Sequence, residues 1–214
     1  MLGQSIEDYL GAIFRLREGK SAPVPLSSLS EHLGFSAVSI HEMVQKLEGQ
    51  QLVNYQRYRG VMLTAEGERL AQAVVRRHRI WERFLTDMLD FPWDEAHILA
   101  ERLEHAAPQE VTDRLAALLG NPEECPHGGP IPPQPNTQRG QLLSQLPPGA
   151  IGSVIRIRPE LPELLQELHA LGIAPHAQLR IVAQMPQETV VQRDRQEIRL
   201  PAALAGTLWL RVDV

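Results

Sequence analysis

The sequence predicts a mainly α chain with small β parts: a helical amino-terminal portion followed by an SH3-like β-barrel. Three observations carry this. Apolar residues recur at helical spacing through about residue 120. A proline- and glycine-rich stretch, NPEECPHGGPIPPQPNTQRGQLLSQLPPG, then interrupts the pattern. Beyond it come the short strand-like runs IGSVIRIRP, QLRIVAQ, TVVQRD, QEIRL and TLWLRVDV, with one helical segment, PELPELLQELHALGI, between the first two.

The first helix is expected over Ser5 to Glu18, where Ile6, Leu10, Ile13 and Phe14 follow the helical period. Ser5 is its expected N-cap, Glu7 and Asp8 are first-turn acids, and Gly19 is its expected stop. After Pro23 and Pro25, Leu26, Leu29 and Leu33 line a short helix closed by Gly34. Ser36 then caps a helix whose inward face is read as Val38, Ile40, Val44 and Leu47. Helix, short glycine-bearing turn, helix is the helix-turn-helix pattern, although a plain helical hairpin has the same outline. The following LVNYQRYRGVMLT alternates about Arg59-Gly60 and reads as a β-hairpin, the position of a wing. In this reading Ser36, Ala37, Ser39, His41 and Glu42 face bases, while Arg57 and Arg59 at the hairpin tip meet phosphates.

Thr64 caps a long helix from Ala65 to about Leu89, Trp93 and Asp94 start the next, and Pro108 opens a third that ends at Gly120. These helices carry more apolar surface than one small bundle buries, so a two-fold homodimer interface is expected. The divisions are therefore a winged helix-turn-helix domain over 1–64, a helical metal-binding and dimerisation domain over 65–120, a linker over 121–148 and the SH3-like domain over 149–214.

AHILAERLEH, Ala96 to His105, read as one helix, sets His97, Glu101, Glu104 and His105 along one side. His78 and Glu82 form a second pair four apart, and Asp8 is a third source of carboxylate. Such spacing commonly marks a solvated face with ion pairs. Several pairs in neighbouring helices point to a divalent cation. Cys125 and His127 have the outline of a metal pair, but two ligands alone are a weak signal and they are read as loop residues.

Composition bounds the rest. The chain has 214 residues, 43% of them apolar, enough for two or three packed domains. A single cysteine excludes an internal disulfide and suits a reducing compartment. The net charge of -5 is not that of a nonspecific nucleic-acid coat. MLGQSIEDYL has no secretory pattern and no apolar run is long enough for a bilayer, so the expected address is the cytoplasm, with no membrane partner.

The stretches SIEDYL, KLEGQQLV, YRGVMLTAEG, RRHRIWERFLTDML, AERLEH and CPHGGPIP, in this order, resemble the diphtheria-toxin-repressor and manganese-transport-regulator family. The carboxy-terminal part resembles the SH3-like domain of ferrous-iron transport protein A. The resemblance covers nearly the whole chain. It implies a metal-dependent transcriptional regulator, a repressor of metal-uptake genes binding a palindromic operator as a homodimer, with no catalytic role and no small-molecule substrate. By position it implies a primary metal site at Asp8, Glu101, Glu104 and His105 and an ancillary site at His78, Glu82 and His97, hence two sites per chain. Some relatives add ligands from the SH3-like helix; Glu160 and Glu163 have the mutual spacing, in what is read as that helix's first turn.

Departures within the resemblance bear on the metal. Iron-sensing members carry methionine and cysteine where this chain has Asp8 and Glu101. Oxygen donors suit Mn2+, with Fe2+ the alternative. Gly11 stands where short manganese regulators place a glutamate ligand, which argues for two separated sites. The competing readings are a metallohydrolase, which would need a substrate cleft and an open coordination position, and a winged-helix regulator answering a non-metal signal.

Overall fold

A computed structural model describes residues 3–17, 22–134 and 140–212. The chain forms two compact units, Met1–Trp81 with Ala100–Glu123 and Ile131–Asn136, and Glu82–Leu99 with Glu124–Pro130 and Thr137–Val214.

In the first unit, α1 (Gln4–Arg17) buries Ile6, Tyr9, Leu10, Ile13 and Phe14, the stripe expected from the sequence. It starts one residue before Ser5, with Gly3 O accepting from Ile6 N at 2.9 Å, so Ser5 lies inside the helix and is not its cap. Its expected stop at Gly19 lies outside the described residues. The pair α2 (Leu26–Leu33) and α3 (Ala37–Gly49) follows. Gly34 closes α2 at φ 70°, and the Ser36 hydroxyl accepts from Ser39 N to start α3. Ile40, Val44 and Leu47 are buried, but Val38 is 68% exposed. Val38 stands two residues, about 200° of helix, from Ile40, so the two cannot share a face.

The hairpin of β1 (Val53–Gln56) and β2 (Gly60–Leu63) pairs Val53 with Leu63 and Gln56 with Gly60, and Val61 also bridges Val24. Gly60 has φ 123°, and a Cβ there would lie 2.1 Å from Val24 O, so the close approach requires glycine. Thr64 Oγ1 accepts from Gly67 N at 3.0 Å and starts α4 (Ala65–Leu89). A two-pronged Arg17–Glu68 pair at 2.7 and 2.8 Å fastens α1 to α4. Helix α6 (Gln109–Leu118) follows Pro108 and packs through Leu115, Ala116 and Leu119 onto Ile80 and Ile131.

The second unit holds the start of α5 (Trp93–Leu103), the turn 124–130 and the carboxy-terminal sheet. The strands β3 (Gln141–Leu142), β4 (Ile151–Ile157), β5 (Gln178–Gln184), β6 (Glu188–Arg193), β7 (Gln196–Pro201) and β8 (Leu208–Val212) form an antiparallel sheet in the order β3-β8-β4-β5-β6-β7. Five match the strand-like runs; β3 falls in the stretch read as linker. Helices α7 (Pro162–Ala170) and α8 (Ala202–Ala205) complete the unit. Alternation on β4 and β5 turns Val154, Leu179 and Ile181 into a core with Leu165, Leu168 and Leu210. Glu160 precedes α7 instead of sitting in its first turn, which holds Glu163.

Candidate metal centre

One cluster is built in the first unit by α1 and the chain just beyond α5. That helix ends at Leu103, and Glu104 and His105 lie in the following turn, although Glu104 N still donates to Ala100 O at 2.9 Å. The turn delivers both side chains to α1. His105 Nε2 lies 2.8 Å from Asp8 Oδ1 and 3.2 Å from Glu104 Oε1. One donor atom from each of Asp8, Glu104 and His105 falls within 4.8 Å of the others. The expectation of one helical side running from His97 to His105 is thus replaced by a split, with His97 in the other unit.

Burial and mutual charge set the electrostatics of this cluster. Burial pushes the Asp8 carboxyl above its ordinary range; His105 opposes this, and the negative charges of Glu104 and Glu101 add to the rise. Burial works against the charge of Glu104, yet His78, His105 and Arg15 hold its carboxyl well below the usual carboxylate range. The hydrogen bond to Glu104 raises His105 to about 9, against burial and with help from Glu7 and Asp8. Two carboxylates and an imidazole gathered in a half-buried site fit a divalent ion of hard or intermediate character. Glu101 is exposed on the last turn of α5 and enters through its charge on Asp8. His78, expected in the ancillary set, is fully buried with Nδ1 2.7 Å from Glu104 Oε2. Gly11 is buried against Val74 and supplies no ligand.

A second cluster lies in the other unit. His97 Nδ1 donates to Glu82 Oε1 at 2.7 Å, a pair grouped by the family resemblance and not by helical spacing, and both side chains are buried. The same oxygen lies 3.3 Å from His127 Nδ1, and His127 Nδ1 is 3.9 Å from Cys125 Sγ. Glu82, Cys125 and His127 each offer a donor atom within 4.8 Å of the others. Cys125 is 3% exposed and His127 fully buried, so they are not ordinary loop residues. Their turn is held by Cys125 N donating to Gly129 O at 2.8 Å and by Gly129 N donating to Cys125 Sγ at 3.3 Å. His127 Nε2 donates to Trp93 O at 3.1 Å, which leaves Nδ1 toward the cluster. Burial opposes the charge of His127, but Glu82 and Cys125 raise its pKa well above the ordinary value. A carboxylate, a thiol and an imidazole around one point fit a transition-metal ion.

Among the described residues, neither Glu160 nor Glu163 joins a cluster of three donor groups. Glu160 is buried and Glu163 exposed. Sequence reasoning passed over Glu7, Cys125 and His127 as ligand-site residues. A Cys-x-His pair is too small a signal alone, and Glu7 resembles any first-turn acid.

The helix-turn-helix presents Ser36, Ala37, Ser39 and Glu42 to solvent, and His41 half-buried and edge-on to Tyr55 at 5.6 Å. Arg57, Tyr58 and Arg59 are exposed at the hairpin tip, where the Arg57 guanidinium lies 4.9 Å from the Tyr58 ring centroid. No described helix is long and apolar enough to cross a membrane.

Three family models match the chain in succession: the iron dependent repressor N-terminal DNA binding domain over 1–61, its metal binding and dimerisation domain over 64–133, and the FeoA domain over 141–212. The iron-dependent repressor IdeR of Mycobacterium tuberculosis is 31% identical over 95% of both chains. The diphtheria toxin repressor of Corynebacterium jeikeium is 30% identical over 85% of this chain and 86% of its own. Among solved structures, a manganese-dependent transcriptional repressor in complex with manganese aligns at TM-score 0.85 and 34% identity, covering 97% of this chain and all of that one. The manganese regulator SloR aligns at TM-score 0.82 and 29% identity over 97% and 98%. With the winged reader, the donor clusters and these relatives in agreement, the chain belongs to the iron-dependent repressor (diphtheria toxin repressor) family of metal-dependent DNA-binding transcriptional repressors.

Proposed function

We propose that this repressor responds to Mn2+, binds a palindromic operator as a cytoplasmic homodimer and controls metal-uptake genes. The observation that carries this is the meeting of Asp8, on the first helix of the reader, with Glu104 and His105 of the metal-binding domain. The primary site consists of Asp8, Glu104 and His105, with Glu101 one turn away on α5. All three acids supply oxygen, which favours Mn2+.

Bound at that site, a divalent cation supplies positive charge that makes the approach of these carboxylates favourable. Without it, one like-charge pair at about 4 Å and an effective dielectric of about 20 costs roughly 4 kcal/mol. Asp8 carries the reader's first helix, and Glu104 and His105 carry the metal-binding domain, so their closure fixes the reader's posture. In a dimer that posture sets the spacing of two α3 helices, with Ser36, Ala37, Ser39, His41 and Glu42 toward bases and Arg57 and Arg59 toward phosphates. The differential affinity of metal for the closed posture is the source of regulation.

The second site is assigned to Glu82, Cys125 and His127, with His97 hydrogen-bonded to Glu82. His78, one turn before Glu82 on α4, completes the set that the family resemblance implies. His127 O also accepts from Ile157 N at 3.0 Å, so this cluster is joined directly to β4 of the SH3-like domain. Fe2+ is the second reading, favoured by the Cys125 thiol at this site.

The test is a mobility-shift titration of the full chain on promoter fragments with Mn2+, Fe2+, Zn2+ and chelator. Mn2+ should give specific binding at the lowest free-metal concentration. Glu104→Ala should abolish metal-stimulated binding while the protein stays dimeric. Metal-independent binding by the wild type would refute the proposal.

A further inference from the structure

The acid beside Asp8 contributes more than a favourable charge at a helix start. Glu7 and Asp8 are consecutive on α1, yet they reach opposite nitrogens of one imidazole. Asp8 Oδ1 lies 2.8 Å from His105 Nε2, while Glu7 Oε2 lies 2.8 Å from His105 Nδ1. The Glu7 side chain is 14% exposed and that of His105 11%, so neither is a freely solvated group. Arg77 Nη2 donates to Glu7 Oε2 at 2.7 Å, and Arg77 Nε donates to the Glu104 carbonyl at 2.9 Å. One guanidinium therefore braces both Glu7 and the backbone of a candidate ligand. A helix dipole would accept an acid here without any of these contacts.

We infer that Glu7 is a positioning residue of the primary site: it accepts the Nδ1–H of His105 and directs the Nε2 lone pair toward Asp8 and Glu104. This rests on the primary-site assignment above. A neutral imidazole carries one proton, and the nitrogen that holds it cannot ligate. Asp8 and Glu104 on the Nε2 side both attract that proton to the ligating nitrogen. A carboxylate on the Nδ1 side is the counterweight that keeps the proton away from it. Acceptors of this type orient metal-bound histidines and raise their basicity, and their loss typically costs about 10–100-fold in metal affinity. Glu7 itself is not a ligand, because it occupies the ring edge turned away from Asp8.

The test uses the full chain labelled with 15N-histidine and titrated with Zn2+, a diamagnetic probe, against a chelator of known affinity. In the wild type, His105 Nε2 should shift on metal binding while Nδ1 keeps the signature of a protonated nitrogen. Glu7→Ala should weaken metal binding followed at His105 by about 10–100-fold and expose the Nδ1 proton to fast exchange. Glu7→Gln, which keeps a neutral acceptor, should fold as the wild type does, retain the Nδ1–H signature and lose less affinity than Glu7→Ala, below the lower end of that range at about tenfold. A His105 that ignores metal in the wild type would overturn the primary site and the inference with it. A metal-responsive His105 with unchanged affinity in both Glu7 variants would overturn the positioning role alone. So would variants that lower only the melting temperature of the metal-free protein and leave the His105 signature in place.

Discussion

At the scale of single residues, His105 would couple the proposed primary site to pH. Its folded-state pKa is about 9, above the ordinary 6.5, chiefly through Glu104 and against its burial. A raised histidine stabilises the fold fully below the unfolded value and loses that contribution as pH rises through the folded one. The metal-free protein should therefore lose thermal stability between about pH 6.5 and 9. Thermal scans in chelator across that window check this, and His105→Gln should flatten the slope. Glu104 adds the opposite limb, since its lowered carboxyl contributes stability above about 4.5 that disappears on acidification. Metal binding runs against the same proton. Cation affinity at this site should rise by about tenfold per pH unit on the approach to 9, because the imidazole must deprotonate to ligate. A pH-independent affinity between 6.5 and 8.5, measured by competition with a chelator, would contradict the assignment of His105.

At the scale of elements, the hairpin after α3 depends on one backbone contact. Gly60 combines φ 123° with a Cβ position 2.1 Å from Val24 O. Gly60→Ala should therefore cost the reader roughly 2 kcal/mol or more, because the strain is carried by backbone on both sides. Urea denaturation followed by Tyr55 environment, alongside operator affinity, checks this; an unchanged midpoint would mean that the Val24 backbone can yield. Helical periodicity made α1, α2, α3, α4 and α6 legible, because each turns one apolar stripe inward. It failed at Val38, where proximity to Ile40 in sequence was mistaken for proximity on the helix face. It also failed at Glu104 and His105, since α5 ends at Leu103 and both residues lie in the turn beyond it. The turn at Cys125 and His127 was illegible for another reason. Proline and glycine announce a departure from regular structure, but they do not distinguish a solvated linker from a turn packed under a strand. Glu7 was hidden because its partners, Arg77 and His105, lie 70 and 98 positions away.

At the scale of the whole molecule, the proposed homodimer brings together two readers. Met88 and Leu89 are each 51% exposed at the end of α4, and Phe91 just beyond is 37% exposed. Apolar side chains so placed in a metal-binding and dimerisation domain are the expected cover for a partner chain. The double variant Met88→Glu, Leu89→Glu should shift the protein toward monomer by sedimentation velocity and lose operator affinity by at least about 100-fold, a fraction of the usual specific-to-nonspecific gap. Manganese occupancy at the primary site should persist. A stable dimer from that variant would move the interface elsewhere. The order of domains was open to reading from sequence because the periodicity changes from helical in the first two to alternating in the third. The partition of candidate ligands between two sites came from the family resemblance and not from helical spacing, which does not say which way each face turns after packing.

Gly128 has a bearing on how such proteins diversify. A methyl group there would stand 1.9 Å from the Ile155 carbonyl oxygen, and the residue's φ is 78°. The thiol and imidazole on either side of the preceding proline can thus reach their acid only where the chain slides beneath a strand of the barrel with no side chain in the way. Transplanting Cys-x-His into some other exposed bend would carry over the donors and leave behind the roof that dehydrates them. In an unfamiliar sequence of this architecture, a bulky residue one place after the histidine is a cheap sign that the second cluster has been given up, whatever its donors look like.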